Sequence, residues 1–223
     1  MNITEFEFGF TQLNNPLLAQ RSTNFYNEKW LYLIAGVHGN EIEGISLSAK
    51  ITTWLKDANE LTFPCIIIPI LDIDGHLYQD QVTIDNVNLN HLFPISSLRI
   101  SRSKGVFTSS NILPPEISSL IDLLRKYPPQ MIINLRTAST GSKVISVGDD
   151  ALGPGSFLAK TTGYPLISDN QPLAGTLEAF IYDFFLCPIV TLRLPHYSDK
   201  KTVNDISQDN LKGIQLLLSG QIY

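Results

Sequence analysis

The chain has 223 residues, 43% of them hydrophobic and 17% charged, with a formal net charge of −5. Soluble domains average about 25% charged residues, so this charge-poor, apolar composition excludes an intrinsically disordered chain. A mildly acidic chain without a basic block is also excluded as a nonspecific nucleic-acid binder, which needs clustered Lys and Arg to displace counterions.

The length suits one compact domain, expected over residues 1–223, and is ample for a core. Cys65 and Cys187 form no metal-binding spacing and sit beside apolar runs, so they read as buried reduced thiols. Met1 to Gln20 contains no Lys or Arg and so lacks the basic start of a signal peptide. The apolar stretches are too short to cross a bilayer. The expected location is the cytoplasm, with neither a membrane nor a nucleic acid as partner. A protein partner stays open.

In chain order, alternating Phe6, Phe8 and Phe10 read as a half-buried strand. Residues 14–27 read as polar and turn-rich. Trp30 to Val37 is a nearly continuous apolar run, as in a strand covered on both faces. Ile42, Ile45, Ala49, Thr52 and Leu55 recur at helical spacing after Gly39-Asn40. Cys65 to Leu71 reads as a second buried strand, with Pro69 pointing to an edge or a bulge. Residues 72–113 read as a long loop, a feature usually tied to function. A helix begins at Pro114-Pro115, with Ile117, Leu120, Ile121 and Leu124 on one face, and ends at Pro128-Pro129. Met131 to Leu135 and Val144 to Val147 read as strands. A short helix over Phe157 to Thr162 stops at Gly163. Leu177, Phe180, Ile181 and Phe184 mark another helix, Ile189 to Leu194 a strand, and Val203 to Leu218 a last helix. Strands alternating with helices predict an α/β protein with a mixed, mostly parallel sheet and helices on both faces.

Ligands of such sheets bind at the carboxyl ends of strands, which singles out His38, Asp72, Arg136 and Arg193. His38 and Glu41 lie three residues apart where a strand turns into a helix, a spacing that can aim an imidazole and a carboxylate at one Zn²⁺ ion. Set against this is a plain alternative, a surface His and a first-turn Glu favoured by the helix dipole.

The segment Gly36-Val37-His38-Gly39-Asn40-Glu41 resembles the first zinc motif of the zinc carboxypeptidase family. Further matches follow in order. Asp72-Ile73-Asp74-Gly75 is similar to the family's Asn-Pro-Asp-Gly turn. Residues 86–94 (NVNLNHLFP) resemble its Gly-Val-Asp-Leu-Asn-Arg-Asn-Phe-Pro segment. Asn134-Leu135-Arg136 falls at the strand ending in its third zinc ligand, and Thr191-Leu192-Arg193 at the strand carrying its catalytic glutamate. The short length is similar to the branch of bacterial murein-peptide amidases. The resemblance implies a three-layer αβα, phosphorylase/hydrolase-like fold. It also implies metal-assisted hydrolysis by a three-ligand zinc with a glutamate as general base.

Carried over residue by residue, His38 and Glu41 match the first two zinc ligands and Asn90 a substrate-carboxylate contact. The remaining positions depart. Arg136 stands at the third ligand, where a guanidinium has no lone pair to offer. Arg193 stands at the base, Gln81 at the oxyanion arginine, His91 at the carboxylate-binding arginine and Asn88 at a family aspartate. The reading that follows is a carboxypeptidase-like protein with an impaired site, binding an anionic peptide or carboxylate ligand, with Arg136 or Arg193 in place of zinc and paired with Glu41. The alternative is an active zinc carboxypeptidase or amidase with a rearranged site. It needs a third ligand from His76, His91 or His196 and a base from Asp72, Asp74 or Glu178. Ser139-Thr140-Gly141-Ser142 reads as a turn able to bind an anion or simply to connect strands. A purely structural or interaction role is the third possibility.

Overall fold

The computed structural model describes residues 3–22, 29–57, 61, 63–78, 88–96, 113–198 and 200–220. Its eight strands are β1 (Ile3–Phe10), β2 (Pro16–Ser22), β3 (Trp30–Ile34), β4 (Cys65–Ile68), β5 (Pro129–Thr137), β6 (Lys143–Val147), β7 (Leu166–Ser168) and β8 (Ile189–Leu194). They form one sheet in the order β1-β2-β4-β3-β5-β8-β6-β7. The central strands β4, β3, β5 and β8 run parallel, while β1/β2, β2/β4 and β6/β8 are antiparallel.

Helices cover both faces. They are α1 (Ile42–Asp57), α2 (Ile73–Tyr78), α3 (Pro115–Lys126), α4 (Leu152–Thr162), α5 (Leu177–Phe180, continuing as a π-helical turn over Ile181–Phe185) and α6 (Val203–Leu218). None of the helices in the described residues is long and apolar enough to cross a membrane.

Because side chains alternate across a strand, β3 sends Leu31 and Leu33 to one face and Tyr32 and Ile34 to the other. The first set packs with Ile133, Leu135 and Leu192 beneath α1, α4 and α6. The second packs with Ile68, Ile132 and Ile189 beneath α3 and α5. Two-sided burial explains the continuous apolar runs of the central strands.

Several sequence expectations need correction. Residues 14–27 include β2, which pairs with β1 in a hairpin and seals the sheet beside β4. β4 is therefore an interior strand, and Pro69 lies just past its end, where no ladder bond is required of it. Residues 72–113 are not continuous loop, since α2 occupies Ile73–Tyr78 and a 3₁₀ turn occupies Leu89–His91. The helix expected over Phe157 to Thr162 begins five residues earlier, at Leu152, and stops at Gly163, which takes the left-handed φ of +74°. β7 is a short, exposed strand with no apolar alternation to announce it. The 139–142 turn connects strands that are not neighbours, because β8 lies between β5 and β6.

Ile133 is fully buried at the centre of one face. Ile133→Ala is expected to lower stability by about 2–5 kcal/mol, read as a shift of the urea midpoint at unchanged slope.

Candidate functional site

The site is built at the carboxyl ends of β3, β5 and β8. After β3 the chain turns sharply at Gly36, which has a φ of +59° and whose added Cβ would stand 2.9 Å from the Ile70 backbone. At Gly39 a Cβ would fall 1.9 Å from the His76 backbone nitrogen, so only glycine lets this turn press on α2. Asp72 ties the two together, accepting from the Gly39 and Gly75 amides at 3.2 and 2.8 Å. Burial pushes its carboxyl up, against the lowering effect of these two bonds. His76 Nδ1 lies 2.8 Å from the Gly39 carbonyl. The turn is thereby held so that His38 and Glu41 point together.

Arg136 closes on both. Its Nε donates to Glu41 Oε1 and Oε2 at 2.9 and 2.7 Å, and its Nη2 lies 3.0 Å from His38 Nδ1. His38 Nδ1 also lies 3.2 Å from Glu41 Oε1, and its Nε2 lies 2.7 Å from Asn88 Oδ1. In the neutral Nε2–H form the imidazole accepts from Arg136; with Nδ1 protonated it donates to Glu41 instead. Arg136 is only 3% exposed and Glu41 6%. Burial raises the Glu41 carboxyl, but the bond to His38 and the charge and bonds of Arg136 outweigh it and hold it below its ordinary value. Arg136 is held above its own ordinary value by Glu41 and Glu178, against the lowering effect of burial.

Arg193 stands beside Arg136 in register, so both project from the same face of the sheet. One step back, Asn134 and Thr191 donate to Glu178 Oε1 on α5 at 2.9 and 3.0 Å. Two buried guanidinium nitrogens, Arg136 Nη1 and Arg193 Nε, have no hydrogen-bond partner among the described residues. Unsatisfied donors of this kind are costly unless a ligand or water meets them.

Both arginines and His38 line two adjoining cavities. One, of about 290 Å³, is walled further by Asn90, His91, Ile145, Val147, Leu173 and Glu178. The other, of about 400 Å³, is walled by Asn40, Glu41, Thr137, Ala138, Ser139 and His196. Asn90 lines the first cavity, but its carbonyl oxygen is taken by the Leu177 amide at 3.1 Å. His91 is exposed at the rim. Gln81 lies outside the described residues.

Glu43 is a residue that sequence reasoning missed. It is fully buried in the first turn of α1. It accepts from Thr137 Oγ1 at 2.7 Å, from the Tyr197 amide at 2.8 Å and pairs with His196 Nδ1 at 2.7 Å. Burial raises its carboxyl, yet the bonds from Thr137, Tyr197 and His196 hold it below the ordinary range. Strand alternation makes this possible, because Arg136 points to one face and Thr137 to the other. The only local cue was a second glutamate two residues after Glu41, which reads as an ordinary first-turn acid.

Two of the three histidines named as substitute ligands are otherwise placed. His76 serves the Gly39 carbonyl and His196 serves Glu43. Asp74, named as a substitute base, accepts from Thr11, the Leu13 amide and Asn15 in the β1–β2 hairpin. Among the described residues no group of three or more His, Cys, Asp or Glu is arranged to hold a metal ion. The donor atoms of His38 and Glu41 are turned onto Arg136, which cannot ligate a metal, so these residues do not fit a three-ligand zinc site.

Solved structures with the same fold are metallocarboxypeptidases and an amidase. The murein-tripeptide amidase MpaA from Escherichia coli O157 superposes with a TM-score of 0.72 at 16% identity, over 96% of this chain and 91% of that one. A metallo-carboxypeptidase from Burkholderia cenocepacia gives 0.74 at 13% identity, over 97% of this chain and 64% of that one. The carboxypeptidase A of Helicoverpa armigera gives 0.74 at 16% identity, over 99% and 68%. No family model matches the sequence, and no curated protein matches it. The three-layer architecture implied by the sequence motifs is thus the architecture observed.

Removing one partner of a buried ion pair strands the other charge. Arg136→Leu is expected to destabilise the fold at neutral pH by about 3–5 kcal/mol. Glu41, held below its ordinary 4.5, contributes stability that is full above pH 4.5 and lost as pH falls through its folded value. In Arg136→Leu burial dominates Glu41 and favours its protonated form, so the deficit against wild type should narrow on acidification. Urea melts of both proteins between neutral pH and pH 4 check this.

Proposed function

We propose that this chain is a zinc-carboxypeptidase-like protein with an impaired hydrolytic centre, and that its cleft binds an anionic peptide or carboxylate ligand. The observation that carries the reading is the guanidinium of Arg136, which meets the Glu41 carboxylate through Nε and the His38 imidazole through Nη2. A cation there disfavours Zn²⁺ by repulsion in a low-dielectric cleft and satisfies the carboxylate that a metal would otherwise neutralise.

The base position supports the same reading. Arg193 stands there, and a permanent cation cannot take a proton from water. The anionic character of the ligand is supported by the unpartnered nitrogens of Arg136 and Arg193 at the two cavities. A carboxylate is the planar acceptor that guanidinium forks match best. Lining residues such as Ile145, Val147 and Leu173 give an apolar wall for the rest of the ligand. The rearranged-zinc alternative is less well supported, since His76 and His196 are both engaged elsewhere.

A reducing, cytoplasmic setting belongs to the proposal, supported by Cys65 and Cys187 as buried free thiols. So does a single unit over residues 1–223, supported by two cores that draw on elements from β1 to α6.

The test is metal content. Protein incubated with zinc and desalted is expected to carry far less than one equivalent by elemental analysis. Arg136→His, which supplies an imidazole at the third position, is expected to raise it toward one equivalent, and the gain should vanish in Arg136→His with His38→Ala. Stoichiometric zinc in the unaltered protein would overturn the reading.

A further inference from the structure

The cavity of about 290 Å³ is lined by charges of both signs, Arg136 and Arg193 against Glu178 and Asp169. The sheet sorts them into two layers. Arg136 and Arg193 are register neighbours at the ends of β5 and β8. One pleat repeat back on the same face, Asn134 and Thr191 hold Glu178 Oε1 at 2.9 and 3.0 Å. Two residues of strand measure about 7 Å, so the Glu178 carboxylate is fixed to a layer behind the one that carries the arginines. Asp169 approaches that second layer from the far side. Its amide donates to the Ser146 carbonyl at 2.9 Å, and Ser146 is the register neighbour of Val190, one residue before Thr191. Ile145 and Val147 supply apolar wall on β6.

Neither acid is used up by its contacts. Both bonds to buried Glu178 go to Oε1, and half-buried Asp169 accepts from the Gln171 amide through Oδ1 alone. On the other side of the ledger, Arg136 is already paired with Glu41. With that pair taken as one neutral unit, Arg193 stands against two carboxylates. Lys143, the register neighbour of Arg193 on β6, is outside the residues lining the cavity. A ligand carrying only a carboxylate would meet Arg193 but deepen the negative excess. A ligand that also carries a cation at its other end leaves the charge of the cavity unchanged and gives each layer a partner of opposite sign.

We propose that this cavity takes a zwitterion, an ω-amino carboxylate whose carboxylate meets Arg193 beside Arg136 and whose ammonium meets Glu178 and Asp169, with its methylenes against Ile145 and Val147. The inference rests on the anion-binding reading of the cleft and deepens it by naming what the other end of the ligand carries. Arg193 is the contact for one end, and the two acids select the other.

The probe is 5-aminopentanoate, set against pentanoate and pentylamine, each titrated into the full chain at pH 7, where both kinds of end group are charged. The zwitterion is expected to bind tighter than pentanoate by about tenfold or more, as one charge-assisted hydrogen bond gives, and tighter than pentylamine by a similar factor. Glu178→Gln keeps an oxygen for Asn134 and Thr191, and Asp169→Asn alters a half-buried side chain. Each is expected to cut the preference over pentanoate several-fold while leaving pentanoate binding unchanged or stronger. Arg193→Gln is expected to weaken binding of both carboxylates. Urea midpoints check that the three variants fold. Pentanoate binding as tightly as the zwitterion, or a preference that survives in both acid variants, would overturn this inference and, with Arg193 still required, leave the anionic cleft standing. No binding of either carboxylate, or binding indifferent to Arg193→Gln, would overturn both.

Discussion

One buried carboxylate governs the centre of this molecule. Glu41 lies at the mouth of a closely packed turn, where its position is fixed by the chain on either side. Gly39 is wedged against the backbone of α2, and Gly44, three residues beyond Glu41, approaches the carbonyl of Leu135 so closely that an added Cβ would stand 2.9 Å from it. A carboxylate so placed cannot retreat to solvent. It must be protonated, bound to a metal, or paired. Here the partner is Arg136, and the choice propagates. The guanidinium donates to His38 Nδ1 when that nitrogen is unprotonated, brings a second positive charge beside Arg193, and leaves donors of its own facing the cavities.

The sheet sets how these groups meet. Parallel register puts Arg136 level with Arg193, and Asn134 level with Thr191, on one face. Glu178 answers the second pair by hydrogen bonds and helps hold Arg136 charged. The odd residue between these layers and the loop, Thr137, faces the other way and engages Glu43. Two acids two residues apart at the start of α1, Glu41 and Glu43, thus serve opposite faces of one strand end. The first anchors a cation in the cleft, and the second anchors the loop that walls it.

Much of this was legible in the sequence because it rests on hydrophobic periodicity. The central strands are covered on both faces and read as continuous apolar runs, and α3 and α6 show the helical spacing that their packing demands. Motif order at the strand ends placed His38, Glu41, Arg136 and Arg193 together. What escaped was short or polar. β2 owes its place to hairpin pairing with β1 rather than to composition. β7 is exposed throughout. α2 is a six-residue helix held by Asp72 and packed beneath Gly39, a tertiary cause that no local pattern carries. Glu43 escaped for the same reason, since its partners lie 94 and 153 residues away.

Stability alone does not account for the charges at the strand ends. A buried ion pair replaced by packed apolar residues is often as stable or more so, and the surrounding core supplies that material freely, from Leu135 and Leu192 on one face to Ile132 and Ile189 on the other. A fold shedding a redundant active site would be expected to fill it with such residues. Instead, in a chain with only 17% charged residues, two arginines stand side by side over a cleft, with nitrogens that no described residue meets. Like charges placed together and left partly unsatisfied raise the energy of the empty cleft, and a bound anion lowers it. On the proposed anion-binding reading, this is the arrangement expected of a cleft that is more favourable occupied than empty.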